Sequence, residues 1–229
     1  MAPEDVHKAK ELIPMKLIVL GASGRCGRWL SQLAAERGHR VTALVRPTTS
    51  FVAPAGVTVR RGQVLDPDTI EEAVTGEDIV FSCLGLRRAG PSPWARLLSP
   101  PDLMAKAARI LIAAMRRRGI QRLVVVSAGG VGASVAQLSR PVRWLVSSGQ
   151  VGVAYRDLEK MERELAPSGL DWLAVRPVTL IDGPPTGAAH PVTHYGMFSR
   201  VRRSDVAEWM LSRAENPEPF EPRTVLLGT

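Results

Sequence analysis

The most constraining stretch of this chain is near its beginning, where Met15 to Leu20 (MKLIVL) is apolar almost throughout and stops on Gly21. A run of that kind ending in glycine is the pattern of a strand buried on both faces. Gly21-Ala22-Ser23-Gly24-Arg25-Cys26-Gly27 follows, and then Cys26, Trp29, Leu30, Leu33 and Ala34 recur at the spacing of one helix face. In a strand–turn–helix unit Gly21 permits the tight turn, Gly24 lets backbone approach a pyrophosphate, and Gly27 lets helix and strand pack closely. Free amides at the helix start, with the helix dipole, then stabilise phosphate charge. Read without a ligand, the same stretch is a plain strand-to-helix connection.

The remaining pattern repeats the alternation. Val41 to Val45, Val57 to Arg60, Asp78 to Leu84, Leu123 to Val126, Trp172 to Val175 and Thr224 to Leu227 read as strands. Helices are expected after Asp66-Pro67 (N-cap and first-turn proline), over Met104 to Met115, around Leu158 to Leu165, and from a Ser204 cap through Leu211. Ala128 to Gly152 is glycine-rich and reads as irregular, with a short helix around Val142 to Val146. Strands alternating with amphipathic helices imply parallel pairing through right-handed crossovers. The expected fold is therefore α/β, a Rossmann-type doubly wound parallel sheet with helices on both faces. Residues 1–14 read as an N-terminal tail and 15–229 as a single domain. Three loops at the strand ends, about 86–101, 128–152 and 181–198, are candidates to enclose a substrate.

Composition narrows the class. The 229 residues include two cysteines, Cys26 and Cys83, too few for a disulfide framework or a four-thiolate zinc site. The apolar runs are far shorter than the roughly 20 residues of a membrane span. The start carries Glu4, Asp5, Lys8, Lys10 and Glu11, too charged for a secretory leader. A cytoplasmic protein without membrane partners is expected. Net charge is +8, but the one tight basic run, Arg116-Arg117-Arg118, closes a helix before Gly119, where cations complement the dipole. Nucleic acid is not an expected partner, and no metal site is expected.

The second strand bears on which dinucleotide would fit. An NAD site places Asp or Glu near its end to hold the ribose diol. Here the chain runs Ala43-Leu44-Val45-Arg46-Pro47-Thr48-Thr49-Ser50, without an acid. Arg46 suits a 2′-phosphate, Thr48 or Ser50 can add donors, and Arg25 adds a second cation. NADP(H) is the expected cofactor; the alternative for both arginines is a solvated surface position.

The segments GASGRCG, ALVRP, VLD, VFSCLG, LVVVSAGG, SGLDWLAVRP and SRVRRSDVAEWML resemble the atypical short-chain dehydrogenase/reductases, nearest the NmrA-like and flavin reductase/biliverdin-IXβ-reductase-like NAD(P)H-binding proteins. The resemblance spans Lys16 to about Arg213. It implies that Gly21, Ser23, Gly24, Arg25, Cys26, Gly27 and Arg46 hold phosphates and ribose, and that Gln63 and Val64 flank adenine. It also implies that Leu84 and Gly85 pass under the cofactor and that Ser127 and Pro177 lie near nicotinamide. Gln63 departs from the family, where Asp is commoner.

Ordinary members of that superfamily protonate substrate with a Tyr assisted by a Lys four residues on. Four beyond Tyr155 is Glu159, with Lys160 one step later, and four beyond Tyr195 is Ser199. A fifth-position residue points well away on a helix, so Tyr155 and Lys160 should not cooperate. The expected reaction is hydride transfer to a conjugated acceptor (flavin, quinone or aromatic ketone) that needs no enzyme acid. A non-catalytic NADP(H) sensor and a non-redox isomerase or cyclase are the alternatives. Ser127, Tyr155 and His194 are the catalytic candidates; Arg87, Trp94, Trp144, Tyr155 and Tyr195 are the substrate-binding ones. Arg88, Arg143 and His190 share their loops. Apolar planes beside arginines suit a planar ligand; the alternative is that Trp94 and Trp144 pin the loops to the body. A monomer or homodimer is expected. Cys26 either packs or is acidified at the helix start; Cys83 reads as core.

Overall fold

The computed structural model describes residues 13–90, 92 and 94–229. Most of the expected N-terminal tail, residues 1–12, lies outside the described residues. Strand β1 (Lys16–Leu20) pairs in parallel with β2 (Arg40–Val45) on one side and β4 (Ile79–Ser82) on the other. β3 (Val57–Arg61) extends the sheet beyond β2, and β5 (Arg122–Val126), β6 (Asp171–Pro177) and β10 (Thr224–Gly228) extend it beyond β4, all parallel. The two-residue β8 (His190–Pro191) closes the far edge antiparallel to β10. The order β3-β2-β1-β4-β5-β6-β10-β8 is that of a doubly wound, Rossmann-type α/β sheet.

Period-two side-chain alternation feeds two cores. Leu17 and Val19 face a core with Leu30 and Ala34 of α1 (Arg25–Glu36) and Val206, Met210 and Leu211 of α6 (Arg203–Glu215). Ile18 and Leu20 face a core with Ile70 of α2 (Pro67–Val74), Leu111 and Met115 of α3 (Leu103–Arg118), and Met161 and Leu165 of α5 (Gly149–Leu165). Burial on both faces is why the strands read as continuous apolar runs.

Three local expectations are corrected. The segment from Ala128 to Gly152 is mostly helical: a 3-10 turn at Gly132–Gln137, α4 (Arg140–Ser147), and α5 beginning at Gly149. Its glycines serve close packing rather than irregularity. A Cβ on Gly152 would lie 2.5 Å from the Ser147 carbonyl oxygen, so only glycine lets α5 start against the end of α4. Ser204 does not cap α6, because the helix already begins at Arg203; the Ser204 hydroxyl instead donates to the Gly183 carbonyl at 2.8 Å. The expected 181–198 loop is not free of strand: β8 lies within it, and β7 (Thr179–Ile181) pairs with β9 (Arg200–Arg202) on either side of it.

Candidate functional site

Strand order reverses between β1 and β4, and the crevice beyond their carboxyl ends is where such sheets take ligands. Gly21 leaves β1 at φ +77°, and a Cβ there would sit 2.8 Å from the Cys83 carbonyl oxygen. The Gly24 amide donates to the Gly21 oxygen at 2.9 Å and closes the turn. Gly27 is held tightest: its Cβ would lie 2.4 Å from the Gly21 oxygen. Gly24 is the N-cap of α1, no described side chain caps that end, and the first turn carries no acid. Its outward amides are therefore available to an anion, and the glycine cradle leaves the backbone open to one. The residues present fit a dinucleotide pyrophosphate.

Ser23 lies half-buried in this turn. Arg25 is exposed, and its Nη1 pairs with Asp182 at 2.9 Å; Asp182 also receives Arg203 Nη1 at 2.7 Å. Desolvation acts to raise the Asp182 carboxyl, but Arg203 and Arg25 outweigh it and hold the group below the usual range. Arg25 thus reaches Asp182 beyond β7, and a phosphate would have to draw it from an exposed pair that water already screens. Cys26 is not acidified: burial pushes its thiol up to about 11, against the pull of Arg203 and Arg25. Cys83, half-buried just after β4, is raised as well, by desolvation first.

Arg46 stands exposed just past β2 and has no carboxylate partner among the described residues. Its turn closes with the Thr49 amide on the Arg46 oxygen at 3.0 Å, and Arg61 Nη1 donates to the carbonyls of Pro47 and Thr49 at 3.2 and 3.0 Å. That bracing by Arg61 escaped sequence reasoning, since an arginine on an edge strand carries no signal of its own. Gln63, exposed, and Val64, half-buried, follow β3; Leu84 and Gly85 follow β4 with Leu84 beside Gly21.

Ser127 follows β5 in a buried position. Its hydroxyl donates to Glu162 Oε1 at 2.6 Å, and Arg176 Nε donates to the same oxygen at 3.1 Å. With its proton on Glu162, Ser127 keeps lone pairs to accept a further hydrogen bond. Glu162 and Arg176 are both buried and were missed from sequence: one lies on a helix, the other in a strand, and their pairing is tertiary. Pro177 ends β6, where its carbonyl accepts the Gly129 amide at 2.9 Å.

Tyr155 and Tyr195 converge on the glycine pair after Ser127. A Cβ on Gly129 would meet Tyr195 Cδ1 at 2.9 Å, and one on Gly130 would meet Tyr155 Cε1 at 3.2 Å. Burial raises the Tyr155 hydroxyl well above the ordinary tyrosine range, with the neighbouring Tyr195 adding to it. Tyr195 is buried, its hydroxyl 3.0 Å from Thr179 Oγ1. Lys160 is exposed and among the charges acting on Asp102 and Asp157.

The expected substrate residues are less gathered. Trp94 and Trp144 are 64% and 63% exposed, so neither pins its loop to the body. Arg87 and His194 are exposed. The 86–101 segment folds back on itself, with Ala89 donating to the Arg96 oxygen at 2.9 Å and Leu98 to the Arg87 oxygen at 2.8 Å. Two of the other loops are joined: the amide of Ser139 donates to Tyr195 and that of Tyr195 to Gln137. Among the described residues no helix is long and apolar enough to cross a membrane.

Comparison with known proteins agrees with this geometry. A 2-alkyl-3-oxoalkanoate reductase of Stenotrophomonas maltophilia is 34% identical over 117 residues, 51% of this chain and 34% of that protein. The matched stretches cover 24–34% of the length of the first curated relatives. An anaerobilin reductase from Escherichia coli O157:H7 superposes with a TM-score of 0.70 at 25% identity, over 92% of this chain and 95% of that one. A short-chain dehydrogenase/reductase from Veillonella parvula, solved with NADP, has the same fold, with a TM-score of 0.75 at 18% identity over 95% of each chain. The family model described as NAD(P)H-binding matches residues 21–217, across the glycine turn and the sheet behind it. The chain belongs to this NAD(P)H-binding family, and NAD(P)H is its cofactor.

Proposed function

We propose that the chain is an NADPH-dependent reductase that passes hydride to a conjugated, anionic small molecule without a tyrosine–lysine dyad. The observation that carries the reading is the charge of the two segments that follow β4 and β5. Residues 83–101 and 127–156 contain Arg87, Arg88, Arg96, Arg140, Arg143 and Arg156 and no Asp or Glu. None of these six arginines is in an ion pair among the described residues, whereas Arg37, Arg117, Arg122 and Arg176 elsewhere are. Guanidinium groups without an acid partner, in the same segments as the open indoles of Trp94 and Trp144, favour a planar ligand bearing carboxylates. The likeness to an anaerobilin reductase supports that class.

Arg46, with no acid at the end of β2, favours the 2′-phosphate of NADPH over NADH. NADPH, when bound, supplies the hydride. The chain orients and encloses: the glycine turn holds the pyrophosphate, and Ser127 accepts a hydrogen bond at the end of β5. Tyr155, raised by burial and with Glu159 rather than a lysine four residues on, is a poor acid, so the proton comes from water. A delocalised acceptor tolerates this because its negative charge is spread before protonation.

The test follows NADPH absorbance against flavin, a quinone, a linear tetrapyrrole and a 3-oxo acid. Oxidation with the conjugated acceptors, and a Tyr155→Phe variant within about threefold of the parent, are expected. Turnover confined to the 3-oxo acid with a thousandfold loss in that variant would contradict the proposal. NADPH binding without oxidation by any acceptor would favour a sensor.

A further inference from the structure

A cavity of about 730 Å³ lies apart from the cofactor crevice, between the 3-10 turn after β5, α6 and strands β10 and β8 at the far end of the sheet. Its size falls in the range of small-molecule pockets, roughly 300–1,000 Å³. Trp209, Val192 and Leu226 give it apolar walls, and Arg176 and Arg213 give it guanidinium groups. None of the residues expected to hold the dinucleotide lines it.

Arg176 borders this space although it is only 7% exposed. Glu162 takes its Nε and Nη2, which leaves Nη1 with no acceptor among the described residues. Nη1 is not sealed, because the fully buried side-chain polar atom without a partner among the described residues is Ser139 Oγ. The open edge of Arg176 therefore meets the cavity. That edge faces the cavity with little room for water around it, and an acceptor oxygen brought by a ligand would gain a charge-assisted hydrogen bond there. Among the described residues Arg213 is held only by a 3.5 Å contact of Nη2 with the Glu221 carbonyl. The one acid of the lining, Glu221, is 72% exposed and lies 3.8 Å from Arg223 Nε, so part of its charge is already met.

We propose that this cavity is a second ligand site, for a carboxylate whose apolar body packs on Trp209 and whose oxygens are held by Arg176 and Arg213. Guanidinium matches the planar carboxylate fork, which a neutral amide does not reproduce. The site is joined to the crevice from behind: Arg176 and Ser127 both bind Glu162 Oε1, at 3.1 and 2.6 Å.

The test uses the full chain labelled with 5-fluorotryptophan, the Trp209 resonance being assigned from a Trp209→Phe variant. The protein is titrated with 2-naphthoate in saturating NADP⁺, so that the dinucleotide crevice is filled. The Trp209 resonance is expected to move saturably, with 2-naphthamide binding at least tenfold more weakly. Removing Arg176 would strand Glu162 in the interior and risk unfolding, so Arg213→Gln is the informative variant. It should weaken naphthoate at least fivefold and leave NADPH affinity unchanged. A Trp209 resonance that stays still, an equal response to the amide, or movement of Trp94 and Trp144 alone would overturn the proposal.

Discussion

At Gly27 the absence of one methyl group lets strand, turn and helix share the same space. A Cβ there would lie 2.4 Å from a backbone oxygen and 2.9 Å from the Ala22 Cα, neither of which can swing aside as a side chain would. Gly27→Ala is expected to cost roughly 1–3 kcal/mol by overpacking and to weaken NADPH at least tenfold. Urea denaturation and a cofactor titration measure the two, and unchanged values for both would refute the close-approach argument. Cys26 offers a second measurement. With its thiol at about 11, the thiolate fraction at pH 8 is on the order of 0.1%. Its reaction with an aromatic disulfide should accelerate up to about pH 11 in the folded chain. An unfolded control should level off near ~8.5. A folded-state midpoint below 8.5 would mean that the helix start does acidify it.

Among the elements, the junction of α3 and α5 depends most on one side chain. The N-cap position of α3, Asp102, makes no capping hydrogen bond; Asp157 of α5 accepts the Met104 and Ala105 amides instead, at 2.9 and 3.0 Å. One carboxylate thereby caps one helix while fastening another to it. Asp157→Ala is expected to lower stability by about 1–2 kcal/mol, and Asp157→Asn by less, because its amide oxygen still accepts. Equal losses in urea unfolding would show that shape rather than capping matters. The loop before β9 is tied in a similar way, with Asp205 accepting the Thr186 hydroxyl at 2.8 Å and the Gly187 amide at 3.1 Å.

Across the whole molecule, what could be read from sequence is what repeats locally. The run Met15 to Leu20, the glycines at 21, 24 and 27, and the apolar faces of α1 and α3 announce strand, turn and helix within a few residues of one another. The doubly wound parallel class follows from that alternation, whereas the strand order and its reversal point appear only in the folded sheet. What was not legible depends on partners far apart in sequence. Ser127 meets Glu162 35 residues away, and Asp157 reaches Met104 53 residues away. Gly152 looked like a loop residue because the Ser147 carbonyl it must clear is visible only once α4 and α5 are packed. The exposure of Trp94 and Trp144 was equally hidden, since an indole in a loop reads the same whether it is buried or open.

The central claim is that this sheet end takes NADPH through the glycine turn and Arg46, and calorimetry on the full chain tests it most directly. NADPH is expected to bind at least tenfold more tightly than NADH, a difference of about 1.4 kcal/mol, and Arg46→Asp should erase that gap mainly by weakening NADPH. No heat with either dinucleotide, or equal weakening of both by Arg46→Asp, would contradict it.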